Sequence, residues 1–116
     1  MGATYLHGGT LMIDHTPSAA VTAGDVVVVG VEPRIAHSDI EAEQLGALAT
    51  PSGTAVYEVP KATGASEGFS DGDAVYWDAT NSVASNDDDT GNRKRLGTAI
   101  ADAGDNDATV RIRHHI

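Results

Sequence analysis

Turn signals recur along this chain at intervals that leave little room for helices. Gly8-Gly9, Ala23-Gly24-Asp25, Gly30, Glu32-Pro33, Gly46, Pro51-Ser52-Gly53, Gly64, Asp71-Gly72-Asp73, Asn81-Ser82, the run Asn86 to Asn92, Gly97 and Gly104-Asp105-Asn106-Asp107 cut it into short segments. Gly accepts left-handed backbone, and Asn and Asp side chains bond their own turns. Many short segments bounded in this way point to an all-β chain, a small barrel or a sandwich.

The segments fit that class. Val26-Val27-Val28-Val29 is β-branched throughout and is expected as a strand buried on both faces. Ala55 to Val59 reads as a strand stopped by Pro60, and Ala74-Val75-Tyr76-Trp77 as another. Thr109-Val110-Arg111-Ile112-Arg113 alternates, with Val110 and Ile112 on one face and the arginines on the other. Thr10-Leu11-Met12-Ile13 and Leu45-Gly46-Ala47-Leu48 are weaker candidates. Ser38-Asp39-Ile40-Glu41 matches a capping box, but Gly46 limits any helix there to one or two turns, and a turn between strands fits the segment at least as well. Residues 1–9 are expected as an N-terminal arm or a first strand, and 10–116 as a single β domain.

An internal echo is visible. Ala23-Gly24-Asp25-Val26-Val27 resembles Asp71-Gly72-Asp73-Ala74-Val75, and a Leu-Gly strand follows each, at Leu45-Gly46 and Leu96-Gly97. Two related halves of one small domain would produce this. So would the plain recurrence of Gly-Asp turns in β proteins.

Composition narrows the function classes. Seven basic residues against 17 acidic ones leave a net charge of −10 over 116 residues. That charge argues against nucleic acid and against an anionic membrane surface. Absent cysteines exclude disulfides, thiolate catalysis and cysteine-held metals. No apolar run approaches the ~20 residues of a membrane span, and no basic region precedes an apolar stretch at the N-terminus, so no secretory leader is expected. Aromatics make up only 4%, so the core must come from Val, Ala, Ile and Leu. Such a thin core is expected to gain stability by association.

The chemistry-bearing residues do not assemble into a motif. No phosphate-binding glycine pattern occurs. The five histidines, His7, His15, His37, His114 and His115, lack metal spacing, and His114-His115 reads as a solvated tail pair. No serine lies in Gly-x-Ser-x-Gly. Asp87-Asp88-Asp89-Thr90-Gly91-Asn92 fails the calcium-loop pattern, with Gly91 at its fifth position and Thr98 at its twelfth. The Arg93-Lys94-Arg95 cluster that follows suggests a hairpin whose arms neutralise each other, or a patch for an oppositely charged surface. No catalytic, cofactor-binding or metal residues are expected.

Nearly the whole chain nevertheless resembles one family. Asp14 to Val27, Leu45 to Ala49, Tyr57-Glu58-Val59-Pro60-Lys61-Ala62-Thr63-Gly64, Gly72-Asp73-Ala74-Val75-Tyr76-Trp77-Asp78, Leu96 to Ala99 and Ala108 to Arg113 are similar to the phage capsid cement, or decoration, proteins. These were formerly a phage domain of unknown function and are sometimes labelled predicted phage recombinases. The chain departs from them at Glu41-Ala42-Glu43-Gln44, where a glycine is usual, and in the highly charged Asp87–Arg95 loop. The resemblance implies a β-rich virion protein outside an icosahedral head, made in the host cytoplasm. It would bind the major capsid protein, hold neighbouring capsomers together, and act as a homotrimer without cofactors, nucleic acid or membrane. On that reading Thr4, Tyr5, Leu6 and His7 are candidates for capsid docking by strand addition. Adjacent Tyr76 and Trp77 are candidates for a subunit interface. A virion-surface binding module for a host or sugar partner is the alternative. A DNA-recombination factor has no support in the motifs or the charge.

Overall fold

A computed structural model describes residues 2–116. Among them are ten strands and no helix. The strands are β1 (Thr4–His7), β2 (Leu11–His15), β3 (Val26–Val29), β4 (Glu32–Ala36), β5 (Gly46–Thr50), β6 (Val56–Pro60), β7 (Ala74–Asp78), β8 (Val83–Ser85), β9 (Lys94–Ala99) and β10 (Thr109–His114). One sheet runs β1-β6-β10-β9-β7-β8 and the other β2-β5-β4-β3, with every strand pair antiparallel. The arrangement is a sandwich and not a closed barrel. The larger sheet curls until Lys61, just beyond β6, bridges Ala84 of β8.

The main core lies between the sheets and joins Ile35, Tyr57, Val59, Phe69, Val75, Trp77, Leu96, Val110 and Ile112. On β10 the expected alternation holds: Val110 and Ile112 are buried and Arg111 and Arg113 exposed. A second cluster, Val21, Ala36, Ile40 and Leu48 with Val27 against it, covers the other face of the smaller sheet.

Several expectations need correction. Val26–Val29 is not buried on both faces. It is an edge strand paired only with β4, and Val29 is exposed. Glu32-Pro33 is not a turn but the start of β4. Proline is tolerated there because β4 meets β5 only at Ile35 and Ala36, so no ladder bond is required of residue 33 on that side. Of the two readings of the capping-box segment, the short helix does not form and the turn between strands does. Ile40 pairs with Val21, and Asp39 Oδ1 accepts the Ala23 N–H at 2.8 Å. The acidic and basic runs do not form one hairpin, since β8 and β9 lie on opposite sides of β7. Arg93 reaches Asp78 at 3.5 Å and the Asp87 carbonyl, not the carboxylates of the acidic run.

The internal echo is a repeated construction. Gly24 and Gly72 both have positive φ, 93° and 97°. Asp25 Oδ2 accepts the Thr22 N–H at 2.9 Å, and Asp73 Oδ2 the Ser70 N–H at 2.8 Å. The Gly24 N–H bonds the Ala36 carbonyl as that of Gly72 bonds Ala99, at 2.7 and 2.8 Å. Asp39 accepts from Ala23 as Asp102 accepts from Asp71, both at 2.8 Å. The bridge Val21–Ile40 has its counterpart in Phe69–Ala103. The partner strands are β4 and β9, so the first half of the echo closes on β4 rather than on the Leu45-Gly46 strand.

Candidate functional site

Residues 4–15, which carry β1 and β2, form one lateral rim of the sandwich. Gly8, at φ 98°, carries the chain from β1 at the edge of the larger sheet to β2 at the edge of the smaller. β1 pairs with β6 through Thr4↔Glu58 and Tyr5↔Tyr57, then shifts register before His7↔Val56. All four β1 residues are exposed. The Ala3 N–H bonds the Gly24 carbonyl at 2.7 Å, tying the start of the strand to the smaller sheet.

Beneath β1 lies a cluster of rings. Tyr5 stands 4.9 Å from His37 and 5.5 Å from Tyr57, and Tyr57 meets His114 edge-on at 5.6 Å. The Tyr5 hydroxyl donates to the Gly8 carbonyl, and His37 Nε2 shares a hydrogen bond with the Tyr57 hydroxyl. Burial, and then the neighbouring Tyr5, push the Tyr57 hydroxyl far above its ordinary range, so it stays protonated. Desolvation pulls His37 below its ordinary value. A cavity of about 300 Å³ lined by Tyr5, Gly24, Ile35, His37 and Tyr57 opens beside the cluster.

His114 was expected in a solvated tail and is instead fully buried. Its position two residues beyond Ile112 places it on the inward face of β10. Its Nε2 donates to the Pro33 carbonyl at 2.8 Å, linking the two sheets, while Nδ1 has no partner. Burial holds His114 neutral and lowers its pKa. Lys61 is also buried, its ammonium capped by the carbonyls of Ala62, Asp105 and Asp107 at 2.7, 3.1 and 3.2 Å. No sequence signal singles out Lys61, whereas the period of two would have found His114.

Tyr76 and Trp77 take opposite faces of β7. Trp77 is in the main core at 4% exposure, and Tyr76 is half-buried with the Arg95 guanidinium 6.0 Å from its ring centre. Trp77 also lines a cleft of about 660 Å³ between β3 and the β7–β8 turn. Asp14 and His15 end β2, at the edge of the smaller sheet away from β3, and His15 is not part of the ring cluster.

These groups can pack, dock and titrate. Among the described residues no three His, Asp or Glu side chains gather to hold a metal ion, and no helix is long and apolar enough to cross a membrane. Edge strands with exposed apolar side chains define an all-β binding or structural module. The family described as phage cement protein matches residues 6–114, and the chain belongs to that family. Membership gives it a structural, capsid-associated role in a phage. No curated protein and no solved structure matches the chain.

Proposed function

We propose that the protein binds the outside of a phage or prophage capsid and stabilises the assembled shell. The observation that carries this reading is the family match over residues 6–114, nearly the whole chain. The partner is the major capsid protein, and Thr4, Tyr5, Leu6 and His7 of β1 dock on it. Support comes from the exposure of all four residues on an edge strand, a surface that can accept or join another strand. The working unit is a homotrimer. Tyr76 contributes its exposed side to the subunit contact, and Trp77, behind it, shapes the cleft wall. A protein that binds only the mature shell stabilises it by mass action, and a trimer makes that binding multivalent.

Cosedimentation with expanded and unexpanded heads of the same phage tests this. The protein is expected to pellet with expanded heads, in many copies per head, and to stay in solution with unexpanded ones. A folded protein that pellets with neither removes the reading. Light scattering at micromolar concentration is expected to give three times the chain mass, and a monomeric mass would remove the trimer.

A further inference from the structure

The smaller sheet ends in a strand that nothing covers. Leu11, Met12 and Ile13 of β2 are 67%, 48% and 43% exposed. Among the described residues, half of the ten exposed large apolar ones, Tyr5, Leu6, Leu11, Met12 and Ile13, lie in this one stretch. The register of β2 against β5 is unbroken over all five residues. Over Leu11 to Ile13 the strand has no bulge, no proline and no charge, and Asp14 is its one charged side chain. Of the other edges, β1 is interrupted by a register shift, β8 is three residues long, and β3 is four residues long with only Val29 exposed.

The exposed side chains also continue a buried surface. Cross-strand partners share a face, and Ile13 is opposite Leu48, a member of the outer cluster. Leu11, two residues away, lies on the same face. The cluster therefore runs from buried Leu48 straight out to solvent at Ile13 and Leu11. Within β2 the sole charge is Asp14, and Glu43 lies next to its end, its N–H bonded to the Pro17 carbonyl at 2.8 Å.

We infer that β2 is a strand-addition site for an extended segment of the coat protein, one with apolar residues at alternate positions and a Lys or Arg where it meets Asp14 and Glu43. This rests on the proposed capsid binding and adds a second docking strand to β1. Charge favours that occupant over a second copy. In a second copy β2 would meet another Asp14 and no Lys or Arg, because the strand carries neither. Pairing β2 with its own copy is also two-fold and closes a dimer, not a trimer.

The test compares cosedimentation with expanded heads for the wild-type protein, the Leu11→Lys/Ile13→Lys double variant, Asp14→Lys, and Leu45→Lys. Leu45, at 70% exposure, lies outside β2 and serves as the control. The double variant is expected to bind about tenfold more weakly or worse. Asp14→Lys should bind a few-fold more weakly, with a reduced salt dependence, and Leu45→Lys as wild type. Unfolding midpoints establish that each variant is folded. Asp14 is exposed, so its variant still decides if the double variant does not fold. Wild-type binding with both β2 variants bound as tightly overturns this inference alone. A double variant that becomes smaller in solution yet binds heads normally also overturns it, by making a second copy the occupant. Wild-type protein that fails to bind heads overturns the capsid reading itself.

Discussion

The β3–β4 hairpin and the β7–β9 pair are built from the same turn yet bury opposite faces. Val21, Val27, Ala36 and Ile40 hold the positions of Phe69, Val75, Ala99 and Ala103. The second set lies in the main core. The first set forms the separate outer cluster, and that hairpin reaches the main core with its other face, through Val26, Val28 and Ile35. The turn thus fixes register and chain reversal but not which face becomes interior. The units differ in side-chain size on this face: Phe69 and Trp77 supply bulk in the second, where the first has Val21 and Val29. The connections differ as well. Gly30-Val31 closes the first pair, while residues 79–93, including β8, intervene in the second.

The sharpest break between the units lies at equivalent strand positions. Trp77→Ala removes a large buried side chain and is expected to cost about 3–5 kcal/mol. Val29→Ala, at an exposed position, should cost less than about 1 kcal/mol. Urea unfolding of both variants measures the difference. Equal losses would mean that Val29 is covered in solution.

The two turn glycines make a finer comparison. Both need left-handed backbone, so either alanine variant is strained by about 1 kcal/mol or more. A Cβ on Gly72 would meet open space, whereas one on Gly24 would lie 2.8 Å from the Ala3 carbonyl oxygen. Gly24→Ala should therefore destabilise by about 1–2 kcal/mol more than Gly72→Ala. It should also loosen β1, because Ala3 bonds the Gly24 carbonyl. Hydrogen exchange at Ala3 and along β1 reads this directly, and equal protection in the two variants would separate the N-terminal strand from the first unit.

Much of this was legible in the sequence. β6, β7 and β10 follow from β-branched and aromatic runs, and the paired turns from Gly-Asp at Gly24 and Gly72. β4 was not, because Pro33 reads as a break unless its unpaired side is known. Leu11-Met12-Ile13 reads locally only as a weak strand candidate, with nothing to mark which side meets solvent. Its exposure follows from the order of strands in the smaller sheet, which only long-range pairing determines. The ring cluster likewise gathers Tyr5, His37, Tyr57 and His114 from four separate segments.

His114 is the polar link between the sheet that holds the second unit and β4 of the first, and its expected effect at neutral pH is the smallest. His114→Gln keeps a donor for the Pro33 carbonyl and loses the edge contact with Tyr57, a change of about 1 kcal/mol. The pH profile carries more information. Burial lowers the His114 pKa against the pull of the Pro33 carbonyl and Glu32, and the neighbouring His115 and His37 lower it further. Its protonated form would leave an Nδ1–H without an acceptor. The unfolded chain titrates at the ordinary histidine value near 6.5, so it binds the proton first as pH falls. Stability is then full above about pH 6.5 and declines as pH drops toward the lowered folded value. His37, also lowered by burial, adds in the same direction. Urea midpoints between pH 8 and 5 should fall for the wild type, less steeply for His114→Gln, and least for a variant that also carries His37→Gln. An unchanged slope in His114→Gln would show that this histidine is solvated and that the two sheets do not meet through it.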